Sequence, residues 1–312
     1  MYNIVQHRRK YYILSAILLS VSLLLMAYSM VTVGTPFRLS IDFTGGVYWE
    51  FALGNQAQPG EVRDVFLARG LSDTAVTTLG DSGNRLQARL KAVSPEVKAE
   101  IEQELAAKFG GIETLQYRNV GPSVGGEVTR SALIAVLFAS AAIVAWIVFA
   151  FRNVPHPLRY GVSAIVAMVH DVVIAAGFAA LMGILVGYEV DALFLTALLT
   201  VLGFSVQDTI VVFDRIRENG QRHRGEDFET IANRSLLETM GRSLTTQLNA
   251  FFIMVAILLF GGDTIKPFIA VLLVGMISGT YSSIFNATPL LVTWEHWAAK
   301  RARDHAKVAA AA

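Results

Sequence analysis

The sequence has 312 residues, of which 54% are hydrophobic and 16% are charged. Soluble domains average about 45–50% apolar and about 25% charged residues. Because so few charges cannot cover a water-facing surface, the composition excludes a purely soluble protein. The formal net charge of +1 shows neither the basic excess typical of nucleic-acid binding nor the acidic excess typical of disorder. The sequence contains no cysteine, which excludes thiol catalysis, disulfides and cysteine-ligated metal sites.

Six apolar segments pass or nearly pass the length needed to cross a bilayer, about 20 residues. Four carry no charged residue, whereas the third contains Asp171 and the fourth contains Asp208. The segments are residues 11–33, 131–151, 160–186, 192–213, 243–260 and 268–293. They predict a polytopic α-helical membrane protein with six transmembrane helices. The predicted division is an N-terminal segment at 1–10, the first helix at 11–33, an external domain at 34–128, a five-helix membrane domain at 129–293 with a loop at 214–242, and a tail at 294–312.

The first apolar segment also has features of a secretory signal. Arg8, Arg9 and Lys10 precede it, and Ala27-Tyr28-Ser29 is a passable cleavage site. Its apolar run is too long for a typical signal core, so we expect an uncleaved transmembrane helix.

Lysine and arginine concentrate in the short cytoplasmic loops of membrane proteins. Four segments that should lie on one side of the membrane are rich in these residues. Residues 1–10 hold 3, residues 152–160 hold 2, residues 214–242 hold 6 and the tail from residue 294 holds 4. The short loops on the opposite side, 187–191 and 262–267, hold only Lys266. We therefore predict a multi-pass protein of the cell membrane, with both termini in the cytoplasm and residues 34–128 outside.

Residues 34–128 are polar and mixed in charge, and their pattern alternates between strand and helix periods. A strand at 37–51 is interrupted at Gly45-Gly46, where the paired glycines act as a hinge or, as we favour, form a bulge. The remaining elements are a helix at 59–69, strands at 74–79 and 85–90 around a turn at 80–83, a helix at 95–108 and a strand at 112–117. The order βαββαβ predicts an α+β ferredoxin-like domain between helices 1 and 2. It contains no metal-ligand cluster, phosphate loop or nucleophile triad, so we do not expect it to be catalytic.

Charged residues inside a membrane usually face the bundle interior and mark ion pathways. Ser205 shares a helix face with Asp208, and Gln207 and Thr209 flank that face. Arg242 enters the membrane at a similar depth, on a stripe with Thr245 or Thr246 and Asn249. A change in the Asp208 to Arg242 distance would change proton affinity, which makes the pair a candidate proton switch. A fixed buried pair, or a pair at the headgroup level, is the alternative.

His170 and Asp171 lie near the middle of the third segment. They are either a proton relay, because histidine titrates near neutrality, or a hydrogen-bonded structural pair. In the sixth segment Ser278, Ser282 and Asn286 recur at every fourth position. For these three we favour close packing between helices.

Residues 203–219 closely resemble the fourth-span signature of SecF, within the SecD/SecF family of bacterial protein-export membrane subunits. Two further stretches resemble the family motifs that follow the first span and precede the second; they comprise Asp42, Phe43, Thr44, Gly45 and Gly46, and Gly121, Pro122 and Gly125. The His170-Asp171 pair and the stretch 233–246 fall in family order. One departure is Gln207, where the family usually has asparagine; the longer amide keeps the same donors and acceptor.

The resemblance implies a non-enzymatic subunit of the resistance-nodulation-division superfamily. It implies SecD, the SecYEG channel and a preprotein on the outer side as partners, together with further translocon accessory subunits, and no nucleic acid. The proton gradient would supply energy, without a metal or another cofactor. Asp208 would carry the proton and Arg242 would tune it, with Asp171 as an accessory carboxylate and His170, Gln207, Thr209 and Ser205 along the pathway.

Two other functions share these features. A half-size proton-coupled exporter of small molecules or lipids would also have six spans and a buried aspartate, but such transporters generally have larger external loops than the roughly 95 residues found here. A passive translocon scaffold would need no proton chemistry.

Overall fold

The computed structural model describes residues 3–79, 83–262 and 265–311, with side chains to residue 305. The chain forms two compact units, one comprising residues 1–38 with 134–312 and the other residues 39–133. The second unit begins and ends about five residues later than the external domain expected at 34–128. Positions 80–82 of the predicted turn lie outside the described residues.

Six helices in the described part of the chain are long and apolar enough to cross a membrane. They are Val5–Val33, Pro122–Ala150, Pro157–Val186, Ala192–Arg222, Phe228–Phe260 and Lys266–His305. Their regular elements are α1 (Arg8–Val33), α5 (Pro122–Ala150), α6 (Pro157–Val186), α7 (Ala192–Arg222), α8 (Phe228–Phe260), α9 (Lys266–Ser282), a π-helical turn (Ser283–Ala287) and α10 (Thr288–Ala311). The predicted number of membrane helices is therefore confirmed.

The segment 214–242 is largely helical, which corrects its interpretation as a loop. Helix α7 ends at Arg222 and α8 begins at Phe228, after Asp227 accepts a hydrogen bond from the Glu229 N–H at 3.1 Å. The charged continuations are held together by ion pairs such as Arg215–Glu238 at 2.6 Å. The hydropathy pattern placed the predicted ends of these two spans where charged residues begin. Amphipathic packing continues α7 and α8 beyond those points.

Helices α6, α7 and α9 form the buried centre of the membrane unit. About half of the most apolar 18-residue window of α6 and of α7 is buried, against 6% for α5 and 17% for α8. Glycines allow close approach: a methyl group added at Gly177 would overlap Ser22 of α1, and one added at Gly275 of α9 would overlap Val201 of α7. Broad apolar faces of α1, α5 and α8 remain exposed.

Residues 39–133 contain a four-stranded antiparallel sheet in the order β2-β3-β1-β4. Its elements are α2 (Ile41–Thr44), β1 (Gly46–Leu53), α3 (Pro59–Ala68), β2 (Ala75–Thr78), β3 (Arg85–Leu90), α4 (Pro95–Phe109) and β4 (Ile112–Val120). The apolar sides of α3 and α4 join one face of the sheet in a single core around Trp49, Phe51 and Phe66. The predicted βαββαβ order is present, although residues 41–44 are helical rather than part of the first strand.

The predicted bulge at Gly45-Gly46 is wrong. The irregular pairing of β1 lies between Glu50 and Phe51, opposite β4, and Gly46 is simply the first residue of the strand. Gly45 and Gly46 have φ angles of +70° and +117°, a region that side chains strongly disfavour. They turn the chain from α2 into β1.

The motif that contains Gly45 and the motif that contains Gly125 pack against each other within this unit. A methyl group added at Gly45 would lie 2.8 Å from Pro122 Cα, and one added at Gly125 would lie 2.8 Å from the Phe43 carbonyl oxygen. Asp42 and Arg118 form an ion pair at 3.5 Å beside this contact. Glycine is therefore required on both sides of a backbone-to-backbone approach.

Candidate functional site

Asp171 of α6 is fully buried, and three hydroxyl donors and one imidazole nitrogen surround its carboxylate. The hydroxyls of Ser205 and Ser282 each donate to Oδ2 at 2.6 Å. The hydroxyl of Ser278 donates to Oδ1 at 2.6 Å, and His170 Nδ1 lies 3.0 Å from the same oxygen. Because these donors come from α6, α7 and α9, the carboxylate joins all three central helices.

Small side chains allow the three helices to meet here. Ser278 and Ser282 are one helical turn apart, so both face α6. A methyl group added at Gly279 would lie 3.3 Å from Ser205 Cα and 3.6 Å from Asp171 Oδ2. The serine pattern of the sixth span, which we interpreted as helix packing, therefore provides hydrogen-bond donors.

Asn286, the third residue of that pattern, has a different partner. Its Oδ1 accepts a hydrogen bond from the Ser15 hydroxyl of α1 at 2.9 Å. It lies in the π-helical turn, a distortion that occurs frequently at functional sites.

Asp208 of α7 is also buried, but its environment differs. Gln247 of α8 donates from Nε2 to Asp208 Oδ2 at 2.7 Å. Ser243, one turn earlier on α8, lies beside the carboxylate, yet neither its hydroxyl nor Gln247 Oε1 has a bonding partner among the described residues. The Gln247 amide thus donates to Asp208 with Ser243 beside it, whereas four polar groups surround the Asp171 carboxylate.

Ser205 links the surroundings of the two carboxylates. Its hydroxyl binds Asp171, while its backbone oxygen accepts from the hydroxyls of Thr209 and Ser283 at 3.1 and 3.0 Å. Asp208 lies three residues further along α7, on the same face as Ser205. The predicted polar face of α7 is therefore present, with Ser205, Asp208 and Thr209 buried.

Gln207 and Arg242 lie outside this buried network. Both side chains are exposed, and Arg242 forms no ion pair with Asp208 in the described part of the chain. Arg242 is five residues from Gln247, which places the two side chains about 140° apart around α8. The inward stripe of α8 therefore contains Ser243 and Gln247, rather than the predicted Arg242, Thr245 or Thr246, and Asn249.

Neither buried carboxylate has a lysine or arginine partner within 4.0 Å among the described residues. No group of three or more His, Asp or Glu residues that could hold a metal occurs in that part of the chain. A charged residue at mid-membrane costs about 2.5–3.5 kcal/mol on insertion scales. Binding a proton removes such a charge, so the arrangement is suited to proton binding.

Sequence reasoning missed Gln247 and Ser243, and it did not predict that Ser278 and Ser282, expected to pack helices together, also donate to Asp171. The sequence does carry a signal for these four residues. In α8 and again in α9, two polar residues four positions apart interrupt an apolar face. That spacing indicates a common direction on a helix but not which partner it faces.

Known proteins match both the sequence and the fold. The family model "Protein export membrane protein SecD/SecF, C-terminal" matches residues 100–297. Protein translocase subunit SecF of Thermobaculum terrenum is 44% identical, with 95% of each chain covered. The SecF subunit of Anaerolinea thermophila is 45% identical, with 95% of this chain and 94% of that protein covered.

Among solved structures, SecDF from Thermus thermophilus, described as a translocon-associated membrane protein, matches 95% of this chain at 30% identity with a TM-score of 0.78. This chain spans 39% of that SecDF chain. The match to this solved structure supports the mostly helical fold with six apolar helices. The chain therefore belongs to the SecD/SecF family of protein-export membrane proteins.

Proposed function

We propose that this chain is a SecF-like subunit that works with SecD and uses the proton gradient to assist preprotein translocation through the SecYEG channel. It lies in the bacterial cytoplasmic membrane with both termini in the cytoplasm. Residues 39–133 form a ferredoxin-like unit on the outer side. The sheet order β2-β3-β1-β4 and the two helices on one face support that fold.

The observation that carries the proton coupling is the pair of buried carboxylates, Asp171 and Asp208, on adjacent membrane helices. Neither has a lysine or arginine partner within 4.0 Å among the described residues. The Ser205 hydroxyl donates to Asp171, and Ser205 lies one turn before Asp208 on α7. Asp208 has the weaker support, a single amide from Gln247. We assign the transported proton to Asp208 because, among the described side chains, its carboxylate has the Gln247 amide as donor and Ser243 beside it, whereas four polar groups surround Asp171.

The energy of such a proton is sufficient for a conformational change. One charge that crosses 100 mV releases about 2.3 kcal/mol. A two-state equilibrium shifts roughly fiftyfold for that energy, at about 1.4 kcal/mol for each factor of ten. The proton can therefore bias the motion of the outer unit that holds or pulls the emerging polypeptide.

The role of Arg242 in tuning Asp208 stays a prediction of the family resemblance. In this structure Gln247, and not Arg242, contacts the carboxylate. A direct contact between Asp208 and Arg242 would require either a rotation of α8 or a different conformational state of the protein.

Asp208→Asn tests the proposal in vesicles that contain this chain, SecD and the translocon. The substitution keeps the side-chain size and the acceptor for Gln247 but cannot bind and release a proton. We expect the gradient-dependent part of preprotein export to be lost while SecD still copurifies. Asp214→Asn is the matched control: Asp214 is on the same helix, half-exposed and paired with Arg217 at 2.6 Å, so export should stay at the wild-type level.

The alternatives predict other results. Full gradient-dependent export by Asp208→Asn would refute the proton-carrier assignment and favour a passive scaffold. Purification without any six-span partner, together with gradient-driven efflux of a small molecule, would favour the half-size exporter.

A further inference from the structure

A cavity of about 380 Å³ lies where α7 ends and α8 begins, opposite the loop between α5 and α6. Its walls come from that loop, from the last turns of α7 with the turn that follows them, and from the first residues of α8. The lining includes neither buried carboxylate and none of the side chains that bond them. The cavity is therefore separate from the site described above.

One part of the lining is apolar. Ile216 of α7 and Ile231 of α8 are buried residues of this part. Val154, Pro155 and Phe228 complete it and are partly or fully exposed. An apolar side chain bound here would remove these residues from water, which is favourable.

The other part of the lining is positively charged, through Arg217 and Arg224. Arg217 forms an ion pair with Asp214 at 2.6 Å, whereas Arg224 has no ion pair or hydrogen bond among the described residues. Glu226, the acidic residue of the lining, is paired with Arg234 at 2.9 Å. The charge of Arg224 is therefore the one that no side chain in the described part of the chain neutralises.

Unpaired hydrogen-bond donors accompany this charge. The backbone N–H groups of Arg224 and Gly225 have no acceptor among the described residues. Asn153, on the loop side of the cavity, has a side-chain amide that also has no partner in that part of the chain. A carboxylate is an acceptor with about four lone-pair positions, so it matches both the charge and the donors.

The position of Arg224 along α7 favours a protein over a lipid as the source of that carboxylate or other anion. Phe213 packs edge-on against Phe151 and Tyr160, with centroids 6.2 and 5.2 Å apart, and the apolar segments begin or end at these three residues. At 1.5 Å per residue, Arg222 at the end of α7 lies about 13 Å beyond Phe213 along the helix axis. The headgroup layer is only about 5–7 Å thick on each side of a bilayer. Arg224 follows Arg222 and therefore lies beyond the layer of lipid phosphates.

We propose that this cavity docks an acidic segment of a partner protein. An apolar side chain of the segment packs on the apolar part of the lining, and a neighbouring carboxylate binds Arg224. The apolar part distinguishes such a segment from a bare anion such as phosphate, which would leave those residues in water. One side chain and one ion pair give weak binding by themselves, so the segment belongs to a partner that is already held next to this chain, where the effective concentration is high.

The test is the binding of a fluorescent pentapeptide with blocked ends, Gly-Glu-Leu-Asp-Gly, to the full chain in phosphatidylcholine nanodiscs, followed by fluorescence anisotropy. In one control peptide glutamine and asparagine replace the two acidic residues, and in the other glycine replaces leucine. We expect saturable binding of the first peptide and about fivefold weaker binding of each control. No saturable binding, or equal binding of either control, would overturn the proposal.

Two arginine variants locate the binding site. Arg224→Gln should weaken peptide binding about fivefold. Arg222→Gln is the matched control, because Arg222 is two residues away, is paired with Glu218 at 2.6 Å and is not part of the lining. Its binding should stay at the wild-type level. Equal weakening by the two variants would show general attraction to a basic surface and would overturn the proposal.

Phosphate groups are tested as rival occupants. Inorganic phosphate at matched ionic strength should not displace the peptide, and displacement would assign the cavity to a simple anion. In native mass spectrometry, phosphatidylglycerol retained by the wild-type chain but not by Arg224→Gln would assign it to a lipid. Either result would overturn the proposal. Because these measurements need neither SecD nor a proton gradient, their outcome is independent of the export test on Asp208→Asn.

Discussion

The hydrogen bond from Ser278 to Asp171 provides a quantitative test of the buried network. Ser278→Ala removes one hydroxyl and otherwise preserves the side chain. The bond is 2.6 Å long, and its acceptor, Asp171, is fully buried. Loss of the donor leaves Oδ1 with His170 alone.

The expected magnitude lies between two general values. Hydrogen bonds to charged groups contribute about 1.5–3 kcal/mol, whereas hydrogen bonds between membrane helices average about 0.6 kcal/mol with a maximum near 1.7. Because the acceptor is a carboxyl group but the bond lies between membrane helices, we expect the free energy of unfolding to fall by about 1.5 kcal/mol. That is roughly a tenfold change in the folding equilibrium.

The assay is reversible unfolding in mixed detergent micelles, followed by helical circular dichroism. Thr280→Val is the matched control, because the Thr280 hydroxyl bonds only the Met276 backbone oxygen of its own helix at 3.0 Å. Ser278→Ala/Ser282→Ala should cost less than the sum of the two single variants, because both donors serve one carboxylate. A loss in Ser278→Ala no larger than that of Thr280→Val would refute the argument that Asp171 holds α6 and α9 together.

Three further outcomes follow from other contacts. Gly125→Ala should lower the melting temperature and weaken hydrogen-exchange protection of residues 39–133, because the added methyl group meets backbone at 2.8 Å. Gly126→Ala is the control, because position 126 has open space, and equal effects of the two substitutions would contradict the packing. Arg242→Gln should leave the free energy of unfolding within about 0.5 kcal/mol of the wild-type value, even if export activity falls. A larger decrease in stability, measured by unfolding in detergent, would show that Arg242 has a partner inside the protein. The hydrogen bond and charge of Lys91 lower the pKa of Asp73 below its ordinary 3.8. The pair therefore stabilises the unit of residues 39–133 at neutral pH, and its contribution disappears as the pH falls below about 3.8. Lys91→Met should remove that part of the acid dependence measured by hydrogen exchange, and an unchanged acid profile would argue against it.

Periodicity and hydropathy predicted the six membrane helices and the βαββαβ order because both depend on local burial patterns. They failed where packing between elements decides the outcome. Charges at 214–242 suggested a loop, yet cross-helix pairs such as Arg215–Glu238 continue α7 and α8. The glycines at 45 and 46 suggested a bulge, although contact with Pro122 is what constrains Gly45.

The sequence by itself determined that Asp171 and Asp208 fall within apolar runs long enough to cross a bilayer. The family resemblance marked both residues as functional. Only the tertiary structure decided their partners. The rotation of α8 brings Gln247 to Asp208 and leaves Arg242 exposed, and the close approach of α9 brings two serines to Asp171. Such choices depend on the relative rotation and separation of whole helices, which side-chain spacing along one helix does not specify.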